Sequence, residues 1–143
     1  MPVERRSLGD SGISVPAIAL GTVKFGRNSG VKYPTGFELP GDDEIVDLLT
    51  LASQHGINLI DTAPAYGSSE MRIGQLLPGN RTDWLLSTKA GETYENGESQ
   101  FDFSGDAIIA SVERSLDRLN TDYLDIVLVH SDCLLYTSPS PRD

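Results

Sequence analysis

Cysteine is almost missing from this sequence, since Cys133 is the only one in 143 residues. A single thiol excludes an internal disulfide and any metal site built from several cysteines. Basic residues are also scarce, with 11 Lys and Arg against 21 Asp and Glu, so the formal net charge is −10. Because phosphate binding needs clustered cations, this balance argues against nucleic acid and anionic membrane surfaces as partners.

Long apolar runs are missing as well. No stretch approaches the length that spans a membrane, and the start, MPVERRSLGD, lacks the apolar segment of a secretory signal. The sequence contains neither G-x-G-x-x-G nor a Walker A pattern, so neither a Rossmann fold nor a P-loop is supported. We therefore expect a soluble, cytoplasmic protein without a membrane partner.

What is present is an alternation of strand-like and helix-like segments. A turn at 9–12 predicts a hairpin before the first strand. Strands are predicted at 17–20, 57–61, 84–89 and 125–130, and helices are predicted to begin at 42, 69 and 104. The uninterrupted apolar run 126–129 predicts a parallel strand that is covered on both faces.

Two segments, 26–41 and 90–103, have no such periodicity and are predicted to be long loops. A loop of this length is usually functional or mobile. The acidic part of the second loop, from Glu92 to Asp102, is predicted to be solvated.

Four polar residues lie at or just past the ends of predicted strands. Asp61 closes INLID, Tyr66 follows in TAPAYG, Lys89 closes WLLSTK and His130 closes DIVLVH. The C-terminal ends of parallel strands meet on one face, where active sites are built. We therefore expect the four to share one rim, with the Lys89 nitrogen within hydrogen-bond reach of Asp61 or Tyr66.

Each of these residues, taken alone, also has an ordinary structural interpretation. An aspartate at the end of a strand, like Asp61, often only caps the next turn, and a tyrosine like Tyr66 is most often a half-buried packing residue. A lysine like Lys89 is usually a solvated surface charge, and a histidine like His130 is more often a hydrogen-bonded residue of the core. A metal site made of Asp61 with the segment 130–132 would lack a clear fourth ligand. We therefore predict no metal.

Four sequence segments carry a resemblance to a known family. In chain order they are RRSLGDSGISVPAIALGT, GINLIDTAPAYGSSE, LLSTKAG and SVERSLDRLNTDYLDIVLVHS. Together they resemble the aldo-keto reductases over residues 4 to about 132. They are similar, in turn, to that family's N-terminal hairpin and first strand, its aspartate and tyrosine segment, its lysine strand, and its helix and strand ending in the histidine.

The resemblance implies an α/β fold that forms the N-terminal half of a (β/α)8 TIM barrel, which typically has about 250 residues. About four parallel strands, three helices and the N-terminal hairpin are expected in a truncated barrel domain, 1–132. Residues 133–143 break the pattern, and we expect them to be a non-native or disordered tail.

The resemblance also implies an NAD(P)H-dependent oxidoreductase that reduces a small aldehyde or ketone substrate to an alcohol. Tyr66 would be the general acid. The Lys89 ammonium would favour its phenolate form, and Asp61 would hold Lys89 in place. His130 would donate to the substrate oxygen or relay a proton.

Cofactor binding is implied for Asp61 and for Gly21 and Thr22, which would face the nicotinamide end. Gly21 and Thr22 are equally compatible with a simple turn. NADP(H) is the cofactor that the family favours, and most of its binding surface would lie in the missing half of the barrel.

The alternative function is a non-catalytic aldo-keto-like module that keeps these residues without turnover. Half a barrel has open sheet edges with unpaired backbone groups and exposed apolar side chains. We therefore expect such a module to associate with its own copy or with a missing half.

Overall fold

A computed structural model describes residues 2–31 and 33–130 of the chain. This part contains eight strands and four α-helices. In chain order they are β1 (Arg5–Ser7), β2 (Ser14–Pro16), β3 (Leu20–Gly21), α1 (Val23–Gly26), α2 (Asp42–Gln54), β4 (Leu59–Asp61), α3 (Ser69–Leu76), β5 (Leu85–Ala90), β6 (Glu92–Glu95), β7 (Glu98–Phe101), α4 (Gly105–Arg118) and β8 (Ile126–Val129). None of the helices in these residues is long and apolar enough to cross a membrane.

The central sheet has four parallel strands in the order β3-β4-β5-β8. Each strand lies beside its predecessor in this sheet, as expected when a helix on one face connects successive parallel strands. The predicted α/β half barrel is therefore confirmed. The first strand is shorter than predicted because the Ala17 amide bonds to the Glu4 carbonyl and continues the N-terminal hairpin instead.

The three predicted helices are α2, α3 and α4. At the start of α2 the Glu44 carboxylate accepts a hydrogen bond from the Gly41 amide at 2.7 Å, and three acidic residues occupy the first turn, where the helix dipole favours them. Gly56 follows this helix with φ +77°. The Ser104 hydroxyl accepts from the Ala107 amide and caps α4, as its sequence predicts.

The predicted loop 90–103 is wrong, because most of it is the antiparallel hairpin β6–β7. Its turn is Asn96-Gly97, and both residues have positive φ, +53° and +87°. A two-residue turn with this geometry matches the twist of the paired strands. The Asn-Gly pair is the sequence feature that indicates this hairpin, but the charged residues around it favoured the interpretation as a solvated loop.

The prediction of a strand covered on both faces is also wrong for β8 within the described residues. The side chains of Leu128 and Val129 are 48% and 55% exposed. The strand pairs with β5 on one side and is the last strand of this sheet. An apolar pattern shows which side chains need a cover but not what provides it. The predicted tail, 133–143, lies outside the described residues.

Glu70 is the main charged group inside the core. It is 1% exposed, its Oε1 accepts a 2.6 Å hydrogen bond from the buried Thr88 hydroxyl, and its Oε2 lies 3.4 Å from Arg118 Nη1. These contacts join α3 to β5 and α4. The apolar core around the same elements comprises Phe25, Ile45, Leu49, Ile60, Ile73, Trp84, Leu86 and Leu119.

We predict that Glu70→Ala lowers the free energy of unfolding by about 1–3 kcal/mol, because it leaves the buried Thr88 hydroxyl without its acceptor. Urea denaturation of the chain measures this. Glu113→Ala is the matched control, since Glu113 is exposed on α4, and a change within about 0.5 kcal/mol is expected. Equal losses in both variants would contradict the role given to Glu70.

Candidate active site

The four residues predicted at strand ends lie together at the C-terminal ends of the parallel strands. Asp61 ends β4, Lys89 is the penultimate residue of β5, and His130 directly follows β8. Tyr66 lies in the turn between β4 and α3, and its ring stands perpendicular to that of His130 with 6.2 Å between centroids. The parallel strand order thus brings all four together.

The Lys89 ammonium is the centre of the cluster. Its Nζ lies 2.9 and 3.0 Å from the two Asp61 carboxylate oxygens, 3.0 Å from the Thr62 carbonyl and 3.3 Å from the Tyr66 hydroxyl. An ammonium has three N–H groups, and here they face three partners. Because Lys89 donates to the phenolic oxygen, the Tyr66 proton is free to be donated elsewhere.

The position of Tyr66 depends on a close contact between two glycine backbones. Gly67 has φ +61°, and a Cβ there would overlap the carbonyl of Gly26 at the end of α1. The Ser68 amide donates to that same carbonyl at 3.3 Å. The turn that carries Tyr66 is therefore packed directly on α1 without intervening side chains.

Buried hydroxyls fix the segment between β4 and α3. The Thr22 hydroxyl donates to the Asp61 carbonyl at 2.9 Å, and the Ser69 hydroxyl lies 3.0 Å from Thr22 Oγ1 and 3.1 Å from Thr62 Oγ1. All three hydroxyl side chains are fully buried. The Thr22 hydroxyl is thus committed to supporting Asp61, whereas Gly21 is exposed with open space beside its Cα. Cofactor binding by Gly21, Thr22 and Asp61 stays a prediction.

His130 is half-buried and faces several charges. The pKa of His130 lies below its ordinary value, first because burial disfavours the imidazolium. The Glu92 carboxylate opposes this shift, Lys89 adds to it, Asp61 opposes it, and Arg27 adds to it. His130 Nδ1 lies 3.0 Å from Glu92 Oε2. Across the described residues, no group of three or more His, Cys, Asp or Glu could hold a metal ion.

A cavity of about 600 Å³ opens beside Tyr66 and His130. Four residues of the long loop 26–41 and Glu92 of the hairpin β6–β7 contribute further walls. Its lining residues are Val23, Arg27, Gly30, Val31, Tyr33, Ala65, Tyr66, Glu92 and His130. A space of this size beside a tyrosine hydroxyl and an imidazole suits a small organic substrate.

Sequence reasoning missed two charged residues of this cavity, Arg27 and Glu92. The Arg27 guanidinium donates to the carbonyls of Ser29, Gly30 and Ala65 and lies 3.5 Å from the centre of the Tyr94 ring. It thereby ties the long loop to the hairpin. Both residues could have been suspected because they lie in the two segments that lack periodicity, and long loops often carry binding residues.

Known proteins are similar to most of this chain. The family model of the aldo/keto reductase family matches residues 17–133. The chain is 35% identical over 133 residues to L-galactose dehydrogenase of Arabidopsis thaliana, covering 90% of this chain and 38% of that protein. It is 33% identical over 136 residues to the NADH-specific methylglyoxal reductase of Escherichia coli, covering 86% and 40%.

A solved structure from Pseudomonas aeruginosa, assigned to the aldo-keto reductases, is also similar. Its TM-score is 0.81 at 51% sequence identity, and the match covers 94% of this chain and 51% of that one. The chain therefore spans about half the length of this structure, and less of the two curated relatives.

We predict that Gly67→Ala destabilises the chain by at least about 1 kcal/mol, because alanine disfavours positive φ and its Cβ would overlap Gly26. Gly105→Ala is the matched control, because the Cβ added at the start of α4 meets no atom within 4 Å. That variant should be neutral or more stable. Thermal unfolding measures the stability of both variants against the original chain. A Gly67→Ala variant with unchanged stability would contradict the close contact between Gly67 and Gly26.

Proposed function

The chain belongs to the aldo/keto reductase family, and from this premise we propose that it carries the proton-transfer half of an NAD(P)H-dependent reductase of aldehydes or ketones. Relatives named as dehydrogenases and reductases support an oxidoreductase function. The observation that carries the proposal is the contact of the Lys89 ammonium with both the Tyr66 hydroxyl and the Asp61 carboxylate.

Tyr66 is the general acid of the proposed reduction. The Lys89 ammonium, 3.3 Å from the phenolic oxygen, stabilises the negative charge that develops there as the proton leaves. Asp61 holds the ammonium through both carboxylate oxygens and keeps it aimed. In the reverse oxidation the same phenolate takes the proton back, so Tyr66 is then the general base.

His130 completes the polar side of the cavity. Its ring stands perpendicular to that of Tyr66 with a centroid separation of 6.2 Å, and both line the cavity. An oxygen bound between them would meet the phenol on one side and the imidazole on the other. His130 thus orients the reacting oxygen for proton transfer.

The exposed end of β3 supports a place for the cofactor's nicotinamide ring. Gly21 on β3 is aligned with Asp61 on β4, and a Cβ added at Gly21 would meet no atom within 4 Å, so there is open space next to the Asp61–Lys89 pair. When bound, a nicotinamide cofactor supplies the hydride. We propose NADP(H) as the cofactor on the family expectation, although one relative is named as NADH-specific.

Turnover is proposed for a barrel longer than these residues. The match covers 51% of the solved Pseudomonas aeruginosa structure, so the remainder of that barrel has no counterpart here. We propose that residues 1–132 form a truncated barrel domain and that 133–143 are a non-native or disordered tail. The chain alone is then expected to be inactive.

A chimera tests the function directly. Residues 1–130 are joined to the remaining half of the Pseudomonas aeruginosa relative, and NADPH and NADH oxidation is followed with small aldehydes and ketones. In an active chimera, Tyr66→Phe should lower kcat by roughly 10²–10⁴, the usual scale for a general acid, with little change in cofactor affinity. Tyr123→Phe is the matched control, because Tyr123 precedes β8 at the opposite end of the sheet.

Two outcomes would contradict the proposal. Full activity in Tyr66→Phe would remove Tyr66 from the chemistry. NADPH oxidation by the 143-residue chain alone, abolished by Tyr66→Phe, would show that half a barrel suffices.

The second candidate is a non-catalytic module that associates with its own copy. Exposed apolar side chains on β8 favour this, since Leu128 and Val129 are about half exposed at the end of the described sheet. Such an edge can pair with another strand.

We predict that, if the module associates through this edge, sedimentation velocity shows a concentration-dependent dimer that Leu128→Lys abolishes. The inserted charge cannot be buried unpaired. Ile109→Lys, at an exposed apolar position on α4, should leave the dimer intact. A monomer at all concentrations would exclude this candidate.

A further inference from the structure

We propose that Arg27 is a specificity-determining residue that binds a carboxylate, so that the cavity takes a short carbonyl compound with a carboxylate group, an oxo acid. Reduction of this ligand rests on the proposed reductase function. The carboxylate site itself follows from the contacts of Arg27, which lines the cavity of about 600 Å³ beside Tyr66 and His130.

The Arg27 guanidinium is held in place but still has donors to offer. Its Nε donates to the Ser29 carbonyl at 3.0 Å, its Nη1 to the Ala65 carbonyl at 3.0 Å and its Nη2 to the Gly30 carbonyl at 2.9 Å. A guanidinium has five N–H groups. Within the described residues, one N–H on each terminal nitrogen therefore has no acceptor. The two oxygens of a carboxylate suit such a pair of donors.

The positive charge of Arg27 is not balanced by a carboxylate among the described residues. Five Arg and Lys side chains are partly buried in this part of the chain, and four of them form an ion pair. The four pairs are Arg72–Asp42, Arg81–Asp125, Lys89–Asp61 and Arg118–Glu70. Arg27 instead meets neutral carbonyls and the Tyr94 ring, whose centre lies 3.5 Å away. A partly buried cation in this state favours an anionic ligand.

Glu92 is the opposing charge in the same cavity, and its position orients the ligand. Its Oε1 accepts a hydrogen bond from the Ser99 hydroxyl at 2.7 Å, and its Oε2 lies 3.0 Å from His130 Nδ1. Arg27 lies over Tyr94, which is two residues farther along β6 and therefore on the same face of the hairpin. A bound carboxylate is thus repelled from the side of Glu92 and attracted to the side of Arg27.

The carboxylate site is close to the groups assigned to proton transfer. Arg27 Nη1 donates to the carbonyl of Ala65, the residue before Tyr66. Besides burial, which is the main cause, the Arg27 charge contributes to the lowered pKa of His130. A ligand with its carbonyl oxygen between Tyr66 and His130 therefore reaches Arg27 with a carboxylate only a few carbon atoms away.

The experiment is an NMR titration of the ¹⁵N-labelled 143-residue chain with two alcohols that differ in charge, γ-hydroxybutyrate and its amide, γ-hydroxybutyramide. Backbone amides of the cavity residues report binding. We expect the carboxylate to bind roughly 10-fold or more tightly than the amide at low ionic strength, because hydrogen bonds between charged groups are the stronger ones. Added salt should reduce this preference.

Variants separate the charge of Arg27 from its contacts within the loop. Arg27→Gln should reduce the affinity for the carboxylate to that for the amide and leave amide binding nearly unchanged. Arg27→Lys, which keeps the charge without the planar fork, should retain part of the preference even where the loop is loosened. Arg114→Gln removes a positive charge from an exposed position on α4, and this matched control should change neither affinity.

Three results would overturn the proposal. They are a carboxylate that binds no more tightly than the amide or not at all, a preference that persists unchanged in Arg27→Gln, and an equal loss of both ligands in that variant. The titration needs neither cofactor nor turnover. An inactive chimera together with the carboxylate preference would reject the reductase function and leave the Arg27 site standing. An active chimera without the preference would do the reverse.

Discussion

The Lys89 ammonium is the group on which the arrangement of the site depends. A cation that is only 12% exposed must be paired, and its partners come from β4 and the turn that follows it. One contact orients Asp61, another fixes the backbone at Thr62, and the third reaches Tyr66. The same desolvation that makes an unpaired Lys89 costly therefore determines where the tyrosine hydroxyl lies. Stability and proposed chemistry share one set of contacts here.

The N-terminal and C-terminal ends of the parallel strands carry different kinds of residues. At the N-terminal end, Arg81 forms a 2.7 Å ion pair with Asp125, whose carboxylate also accepts a hydrogen bond from the Leu86 amide at 2.8 Å. This ion pair joins the N-terminal ends of β5 and β8, and among the described residues it faces none of the residues proposed to be catalytic. The C-terminal end carries the residues assigned to chemistry. Barrels of this class keep stability and catalysis at opposite ends in this way.

Sequence and structure agree where the chain is periodic. The strands that end in Asp61 and Lys89 could be predicted because apolar runs fixed their position and parallel order fixed which end they share. Glu92 could not be placed, because its strand depends on the Asn96-Gly97 turn inside a charged segment. The inward-facing Thr22 hydroxyl was equally hidden, since its acceptor, the Asp61 carbonyl, lies 39 residues away in the chain. Pairings of that kind are properties of the folded state, not of local pattern.

The cavity walls show why the aperiodic segments matter most for selectivity. The strand ends present fixed groups, and many substrates could meet them. The shape of the space beside them depends on Arg27, which commits donors to three backbone carbonyls and packs its planar guanidinium on Tyr94. The stacking on Tyr94, with the 3.2 Å contact between Ser29 Oγ and the Tyr94 hydroxyl, joins the glycine-rich loop to the hairpin. Ordering both segments before a ligand arrives removes an entropic cost that binding would otherwise bear. In the proposed reductase, such a clamp would select substrates by the fixed outline of the cavity, and the Lys89 cluster would carry out the proton transfer.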